Sequence, residues 1–313
     1  IDDIIAAEGE RIPGPADSLA YQIGTRSAST VLRLKNGETQ VLAGLISDEG
    51  VDAVCCGEGE FAMLNLIRAL KNDTDYFNIK NFHFKTKSGE IIKNQISCLI
   101  ENLDILNFPD RDIYSNYFHI EWFRNNIMKR IITGRGCPFN CSYCHNHIFR
   151  KIYQGQGRYV RVRSVRNVIS ELTYLKSKYN LTDFDFIDDI FGMKSEWIEE
   201  FSREYRNKVK IPFSCLTHPN FVNDRYLTSL KAAGCKLISI GVETGDELYR
   251  RSVLRRSYSN IKLYSITDAL HKHGISFYTF NILLLPGETL KMALKTMKVN
   301  LRCKPFSSEV LIF

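Results

Sequence analysis

Past about residue 127 the apolar positions fall into two alternating patterns. Short runs rich in β-branched and aromatic residues occur at 129–134, 183–187, 212–216, 236–241, 276–285 and 307–313, and their lengths predict strands. Between them, 165–178, 195–206, 222–233, 259–273 and 289–300 carry apolar residues at helical spacing, as in Val165, Val168, Ile169, Leu172 and Leu175. Ala232-Ala233-Gly234 and His273-Gly274 place glycine where two of these helices should end before a strand. Strand and helix alternating in this way predict an α/β domain with a parallel sheet and right-handed crossovers. The number of units suits an open, partial (β/α)6 TIM-like barrel better than a closed eight-stranded one.

Before residue 127 the patterns are weaker. Residues 1–45 have no clear period, and Ile12-Pro13-Gly14-Pro15 breaks whatever precedes it. Val31–Leu34, Asn36-Gly37 and Gln40–Leu45 predict a hairpin. Val51–Cys56 has the pattern of a short buried strand, and Gly57-Glu58-Gly59-Glu60 turns it into a helix over Phe61–Leu70. The stretch that follows predicts a linker with a small hairpin around Ser88-Gly89, closed by Asn107–Asp112. The expected organisation is therefore a first region over 1–72, a linker over 73–125 and the repeating α/β domain over 126–313.

Composition narrows the class. With 44% hydrophobic and 25% charged residues in 313, the chain reads as a soluble globular protein. Its longest apolar stretch, Phe277–Leu285, is interrupted by Asn281 and falls short of the roughly 20 residues a membrane span needs. The chain begins at Ile1 and ends inside the apolar run Val310–Phe313, which reads as a fragment. The net charge of +7 hides an asymmetry. Residues 1–125 carry 12 Lys/Arg and 19 Asp/Glu, whereas 126–313 carry 30 and 16. Such faces are ordinarily just solvated, but a basic half also suits an acidic electron donor or an anionic substrate. No nucleic-acid motif is present, and none is expected as a partner.

Nine cysteines in a chain this long do not suggest a disulfide scaffold. Three crowd into the segment Gly134-Arg135-Gly136-Cys137-Pro138-Phe139-Asn140-Cys141-Ser142-Tyr143-Cys144-His145-Asn146, pointing to metal or redox chemistry in a reducing, cytoplasmic compartment. Cys55, Cys56, Cys98, Cys235 and Cys303 read as small buried hydrophobes. The cysteine segment follows the first strand, on the face where parallel barrels keep their active sites. Its spacing lets one loop turn Cys137, Cys141 and Cys144 toward a common centre. Three thiolates on a [4Fe–4S] cluster leave one iron without a protein ligand. The same three with His145 or His147 would make a tetrahedral zinc site. Structural zinc usually staples domains that lack a core, and this one has a core.

A CxxxCxxC loop after the first strand, with aromatic Tyr143 before the last cysteine, resembles the radical S-adenosylmethionine (SAM) superfamily. The resemblance implies that SAM chelates the open iron and is reductively cleaved to methionine and a 5′-deoxyadenosyl radical, with Tyr143 packing near the adenine. It also implies a flavodoxin- or ferredoxin-type electron donor and a small-molecule, lipid or peptide substrate. Asp188-Asp189 close the second strand, where paired carboxylates suit acid–base work or complement a helix N-terminus. The resemblance favours the SAM ammonium as their partner. Gly241-Val242-Glu243-Thr244-Gly245 at the fourth strand's end is similar to a family stretch that lies against SAM. There Glu243 would meet the ribose hydroxyls or the methionyl amine. Arg255 or Arg256 stands where the family has an arginine near the methionyl carboxylate. Pro286-Gly287 after the fifth strand stands where backbone contacts adenine.

Three other features carry less weight. Arg158–Ser164 reads as a solvated strand, and His218 and Cys215 as core or rim residues. Val51–Leu70, the Pro109-Asp110-Arg111 hinge and Asp188-Asp189 resemble the cobalamin-binding branch over about residues 46–313. There a Rossmann-like domain, here only a truncated remnant, precedes the radical domain. That branch implies methyl transfer or oxidative cyclisation. No His precedes His83, so the Asp-x-His-x-x-Gly ligand motif is absent, and cobalamin is expected only of a full-length protein. A cobalamin-free oxidase- or methylthiotransferase-like enzyme is the alternative, though no second cysteine triad supports the latter.

Overall fold

The computed structural model describes residues 11–12, 20–21, 51–126 and 128–313. The hairpin expected over 31–45 lies outside them. The chain divides into two compact units at Cys98/Leu99.

In the first unit, two-residue strands β1 (Arg11–Ile12) and β2 (Ala20–Tyr21) pair antiparallel. Strand β3 (Ala53–Cys55) leads into helix α1 (Glu60–Lys71) as the sequence predicts, and β4 (Phe82–Lys85) and β5 (Ile91–Lys93) form the hairpin. All three longer strands share one antiparallel sheet in the order β3-β4-β5. Ala62, Phe82 and Phe84 make its small core, with Tyr76 and Phe77 packed against it.

The second unit opens with 3₁₀ turns at Leu103–Ile105 and Arg111–Tyr117 and helix α2 (Glu121–Asn126). The core strands are β6 (Arg130–Ile131), β9 (Phe184–Phe186), β10 (Phe213–Thr217), β11 (Cys235–Glu243), β12 (Ser276–Leu283) and β13 (Ser307–Ile312). They run parallel, neighbour to neighbour in chain order, from β6 at one edge to β13 at the other. The sheet is open, as six units predict. Between β6 and β9 a short antiparallel pair, β7 (Gly134–Arg135) with β8 (Arg161–Val162), flanks helix α3 (Asn146–Ile152).

The crossover helices match the apolar periodicity closely: α4 (Val165–Tyr179), α5 (Ser195–Lys208), α6 (Asp224–Ala233), α8 (Asn260–His273) and α9 (Leu290–Cys303), with a short α7 (Glu247–Ser252) after β11. Ser164, Asn223, Ser259 and Thr289 cap four of them by accepting a backbone N–H from the first turn. Gly234 and Gly274 end two in the left-handed conformation. Their apolar faces cover the sheet and form one core, in which Leu172, Phe186, Phe201, Tyr205, Leu230 and Ile238 are buried. The same core takes in Cys215 and Cys235, and Cys56 and Cys303 are buried too, as small hydrophobes would be. Cys98, by contrast, is exposed and Cys55 half-buried. Among the described residues, no helix is long and apolar enough to cross a membrane.

Arg111, of the Pro-Asp-Arg stretch, is buried. It donates to Glu171 of α4 at 3.2 Å and to the Arg130 carbonyl at 2.9 Å. Arg163 reaches the other oxygen of Glu171 at 2.6 Å. Part of the Arg158–Ser164 run therefore turns inward rather than lying solvated, because Glu171 and the Ile100 carbonyl, which accepts from Arg161, need donors there.

Candidate active site

The cysteine loop leaves β6 on a fixed base. Asp188 Oδ1 accepts from the Thr133 N–H at 2.8 Å, the Thr133 hydroxyl at 2.9 Å and the Gly134 N–H at 2.6 Å. Its Oδ2 is buried without a partner, and burial pushes the carboxyl up to about 7. Asp188 is thus turned into the loop base rather than toward the site. Only Asp189 of the expected carboxylate pair lines the cavity. Both residues lie past the end of β9 (Phe184–Phe186), so their hydrogen bonds rather than strand alternation set their directions. Gly136 has φ +83°, and a Cβ there would lie 2.3 Å from the Tyr159 carbonyl, so the tight turn into Cys137 admits only glycine. Arg150 of α3 ties the loop down by donating to the carbonyls of Cys137 and Phe139. Ser142 does so from the other side, donating to the Val253 carbonyl at 2.7 Å.

Cys137, Cys141 and Cys144 line one cavity of about 110 Å³. Burial pushes the Cys137 thiol up to about 11 and raises Cys141 as well. Free thiolates are therefore disfavoured in this setting, and bound cations would stabilise them. Donors already face two sulfurs. Asn146 Nδ2 lies 3.5 Å from Cys144 Sγ, and Arg256 Nη1 lies 3.9 Å from Cys141 Sγ. Among the described residues, no three His, Cys, Asp or Glu side chains are grouped as ligands of a single metal ion. His147 turns its Nδ1 to the Cys144 carbonyl, and His145 packs its ring edge-on against Phe149. A [4Fe–4S] cluster, three of whose irons would each take one thiolate, fits this donor set.

The facing wall comes from β11. A bulge between Gly241 and Glu243 shifts the register against β12, and Glu243 takes a left-handed φ of +63°. That conformation is costly for a residue with a Cβ and is typical of functional sites. It lays the Glu243 carboxylate over Gly241, where a Cβ would come within 2.2 Å of Oε1 and 2.9 Å of Arg256 Nη2. Arg256 lies 3.5 Å from Glu243 Oε1 and donates to the Tyr143 hydroxyl at 2.8 Å and the Gly241 carbonyl at 3.1 Å. Burial raises the Glu243 carboxyl while Arg256 opposes the rise. Tyr258 supports this wall by donating to the Gly241 carbonyl at 2.7 Å.

The adjacent arginines separate cleanly. Arg256 is buried in the cavity wall, whereas Arg255 is exposed with φ +56°. Pro286 and Gly287 lie past β12 and do not line this cavity. The Pro286 carbonyl is taken by the Tyr249 hydroxyl at 2.6 Å, and Gly287 turns at φ +79°. Of the weaker pair, Cys215 points into the helix-side core, but His218 lines the cavity, its ring stacked on Phe139 at 3.8 Å. Burial pushes His218 down to about 2, so its ring stays neutral.

Sequence reasoning missed two residues. Asn146 bridges Cys144 and Asp189. Arg250, with no exposure at all, donates to the Thr244 and Tyr258 carbonyls at 2.9 and 3.0 Å and so braces the turn that presents Glu243 and Arg256. Neither carried a sequence signal, since Asn146 sits past the spacing pattern and Arg250 resembles any surface arginine of a short helix.

A family model described as the Radical SAM superfamily matches residues 131–299. An uncharacterized methyltransferase of Pyrococcus horikoshii is 26% identical over 199 residues, 63% of this chain and 41% of that protein. The anaerobic magnesium-protoporphyrin IX monomethyl ester cyclase of Rubrivivax gelatinosus is 24% identical over 260 residues, 78% of this chain and 44% of that protein. The chain thus spans under half the length of these relatives. Among solved structures, the radical SAM methyltransferase TsrM from Kitasatospora setae shares the fold with a TM-score of 0.67 at 15% identity, covering 87% of this chain and 52% of that one. The cobalamin-dependent enzyme OxsB matches with a TM-score of 0.62 at 19% identity, covering 79% and 36%. With its open parallel sheet, its three-cysteine loop and a family match over more than half its length, this chain belongs to the radical SAM superfamily, whose enzymes work with a [4Fe–4S] cluster and SAM.

Proposed function

We propose that this chain carries the catalytic core of a cobalamin-associated radical SAM enzyme in which Cys137, Cys141 and Cys144 are the cluster ligands. One observation carries the reading. Three cysteines from a single loop share a buried cavity with the Glu243–Arg256 ion pair, presented by a strained strand end. When bound, the cluster and SAM supply reductive cleavage of a sulfonium and a 5′-deoxyadenosyl radical that abstracts hydrogen from an unreactive carbon.

The protein's own groups bind and orient. Asp189 and Glu243 offer carboxylates to the ammonium and the ribose hydroxyls of SAM. Arg256, already the donor to Tyr143, offers its guanidinium to the methionyl carboxylate. Tyr143 takes the adenine, with the backbone at Pro286-Gly287 meeting it beyond the thiol cavity, and Arg255, being exposed, has no part. Asp188 acts one step back, fixing the loop base so that the thiolates arrive in place. Phe139 and Phe280, which line the cavity, would shield it from water.

The substrate step of the longer protein is methyl transfer or oxidative cyclisation. Relatives named as methyltransferases and as a cyclase support this, as do structural neighbours that are cobalamin-bound or cobalamin-dependent enzymes. Cobalamin binding belongs to that longer protein, with residues 1–72 as part of its domain, and no step above depends on it. A flavodoxin- or ferredoxin-type donor in the cytoplasm would supply electrons, its acidic surface meeting the basic half of the chain. Anaerobically reconstituted wild-type protein should release 5′-deoxyadenosine from SAM under reducing conditions, and Cys144→Ala should not. Full release by Cys144→Ala would overturn the assignment.

A further inference from the structure

Asn146 is buried, with 3% of its surface exposed, yet no part of the reading above employs it. Its side chain is fully committed. One N–H lies toward Cys144 Sγ at 3.5 Å and the other donates to Asp189 Oδ1 at 3.0 Å, while Oδ1 accepts from the Tyr159 hydroxyl at 2.6 Å. This network fixes which way the amide points. A carboxylate and a thiolate are acceptors only, so both must face the NH₂ group, and Tyr159 must then be the donor to the oxygen. Burial and nearby Asp189 push the Tyr159 phenol up to about 12, which keeps that donor protonated at neutral pH.

We propose that Asn146 is a positioning residue that sets the reduction potential of the cluster through its N–H to the Cys144 sulfur. The inference rests on the cluster assignment above and goes beyond it. Reduction adds negative charge that is shared with the thiolate sulfurs. A donor held against a sulfur stabilises the reduced form more than the oxidised form and raises the potential. Tyr159 holds the amide in place, and Asp189 shares it. The carboxylate proposed to take the SAM ammonium is therefore one amide away from a cluster ligand. Arg256 faces Cys141 in a similar way at 3.9 Å, but it also serves the Glu243 wall and so cannot be changed alone.

The test is a redox titration of the anaerobically reconstituted full chain, following the signal of the reduced cluster by electron paramagnetic resonance. Asn146→Leu keeps the branched shape and removes the donor. It should assemble the same iron and sulfide content as wild type and move the midpoint negative by about 59 mV, a tenfold change in a one-electron equilibrium. Asn146→Ala should move it the same way and decides the matter if the leucine variant does not assemble. An unchanged midpoint in an assembled variant would overturn the inference and leave the cluster assignment standing. Failure of both variants to assemble would reduce Asn146 to a structural role and likewise overturn it. Failure of the wild type to assemble a [4Fe–4S] cluster would overturn the assignment beneath it.

Discussion

At the scale of single residues, the site depends on how closely Glu243 and Arg256 pack over Gly241. A methyl group at Gly241 would meet Glu243 Oε1 at 2.2 Å with the ion pair closed around it. Gly241→Ala should therefore weaken SAM binding about tenfold or more, roughly 1.4 kcal/mol of lost interaction, as read by calorimetry with the reconstituted protein. Arg256→Lys should have a comparable effect, because a lysine cannot serve Tyr143, Gly241 and Glu243 together. Arg255→Ala should leave affinity unchanged. If the two arginine variants behaved alike, the assignment of the cavity wall would be wrong. Asp188 makes a pH prediction. Its carboxyl sits above the usual 3.8, near 7. Between those values the folded chain holds a proton that the unfolded chain has released. The contribution is complete below about pH 4 and is lost as pH rises through about 7. Asp188→Asn should flatten that part of the stability profile in urea titrations of the apoprotein, and an unaltered slope would show that the group does not titrate there.

At the scale of elements, buried Arg111 is one of several ties that hold residues 99–117 against α4 and β8. Arg111→Ala removes the donor to the Arg130 carbonyl and one of the two arginines on Glu171. It should cost about 1–3 kcal/mol in chemical denaturation, less than a stranded charge would, because Arg163 stays on Glu171. The crossover helices and core strands were legible in the sequence for a physical reason. Each helix buries one apolar face against a sheet covered on that side, so periodicity and caps such as Ser164 and Gly234 mark them. The short helices α3 and α7 were not legible. They are fixed by the loop and turn they brace, through Arg150 and Arg250, rather than by an apolar stripe. The positions of Cys137, Cys141, Cys144 and Glu243 in one cavity followed from strand ends in order, whereas the choice of Arg256 over Arg255 came only from the structure. The outward turn of Arg255 was not legible because the residue takes a left-handed φ of +56°, and the inward turn of Asp188 was not because it lies past the end of β9, where the Thr133 and Gly134 N–H groups rather than strand alternation set its direction.

At the scale of the whole molecule, an open six-stranded parallel sheet collects its chemistry at the C-terminal ends of its strands. The cysteine loop follows β6, Asp188 and Asp189 follow β9, His218 follows β10, and Glu243 closes β11. The residues that line the cavity come from across the sequence and meet only because parallel strands in chain order bring those ends side by side. The chain spans under half the length of the two curated relatives described above. The open iron is the central claim, and one measurement addresses it directly: the electron paramagnetic resonance spectrum of the anaerobically reconstituted, reduced protein before and after SAM is added. The account predicts a [4Fe–4S] signal that changes shape on addition of SAM and disappears in Cys137→Ala. A colourless protein holding one zinc per chain, or a cluster signal that SAM leaves untouched, would contradict it.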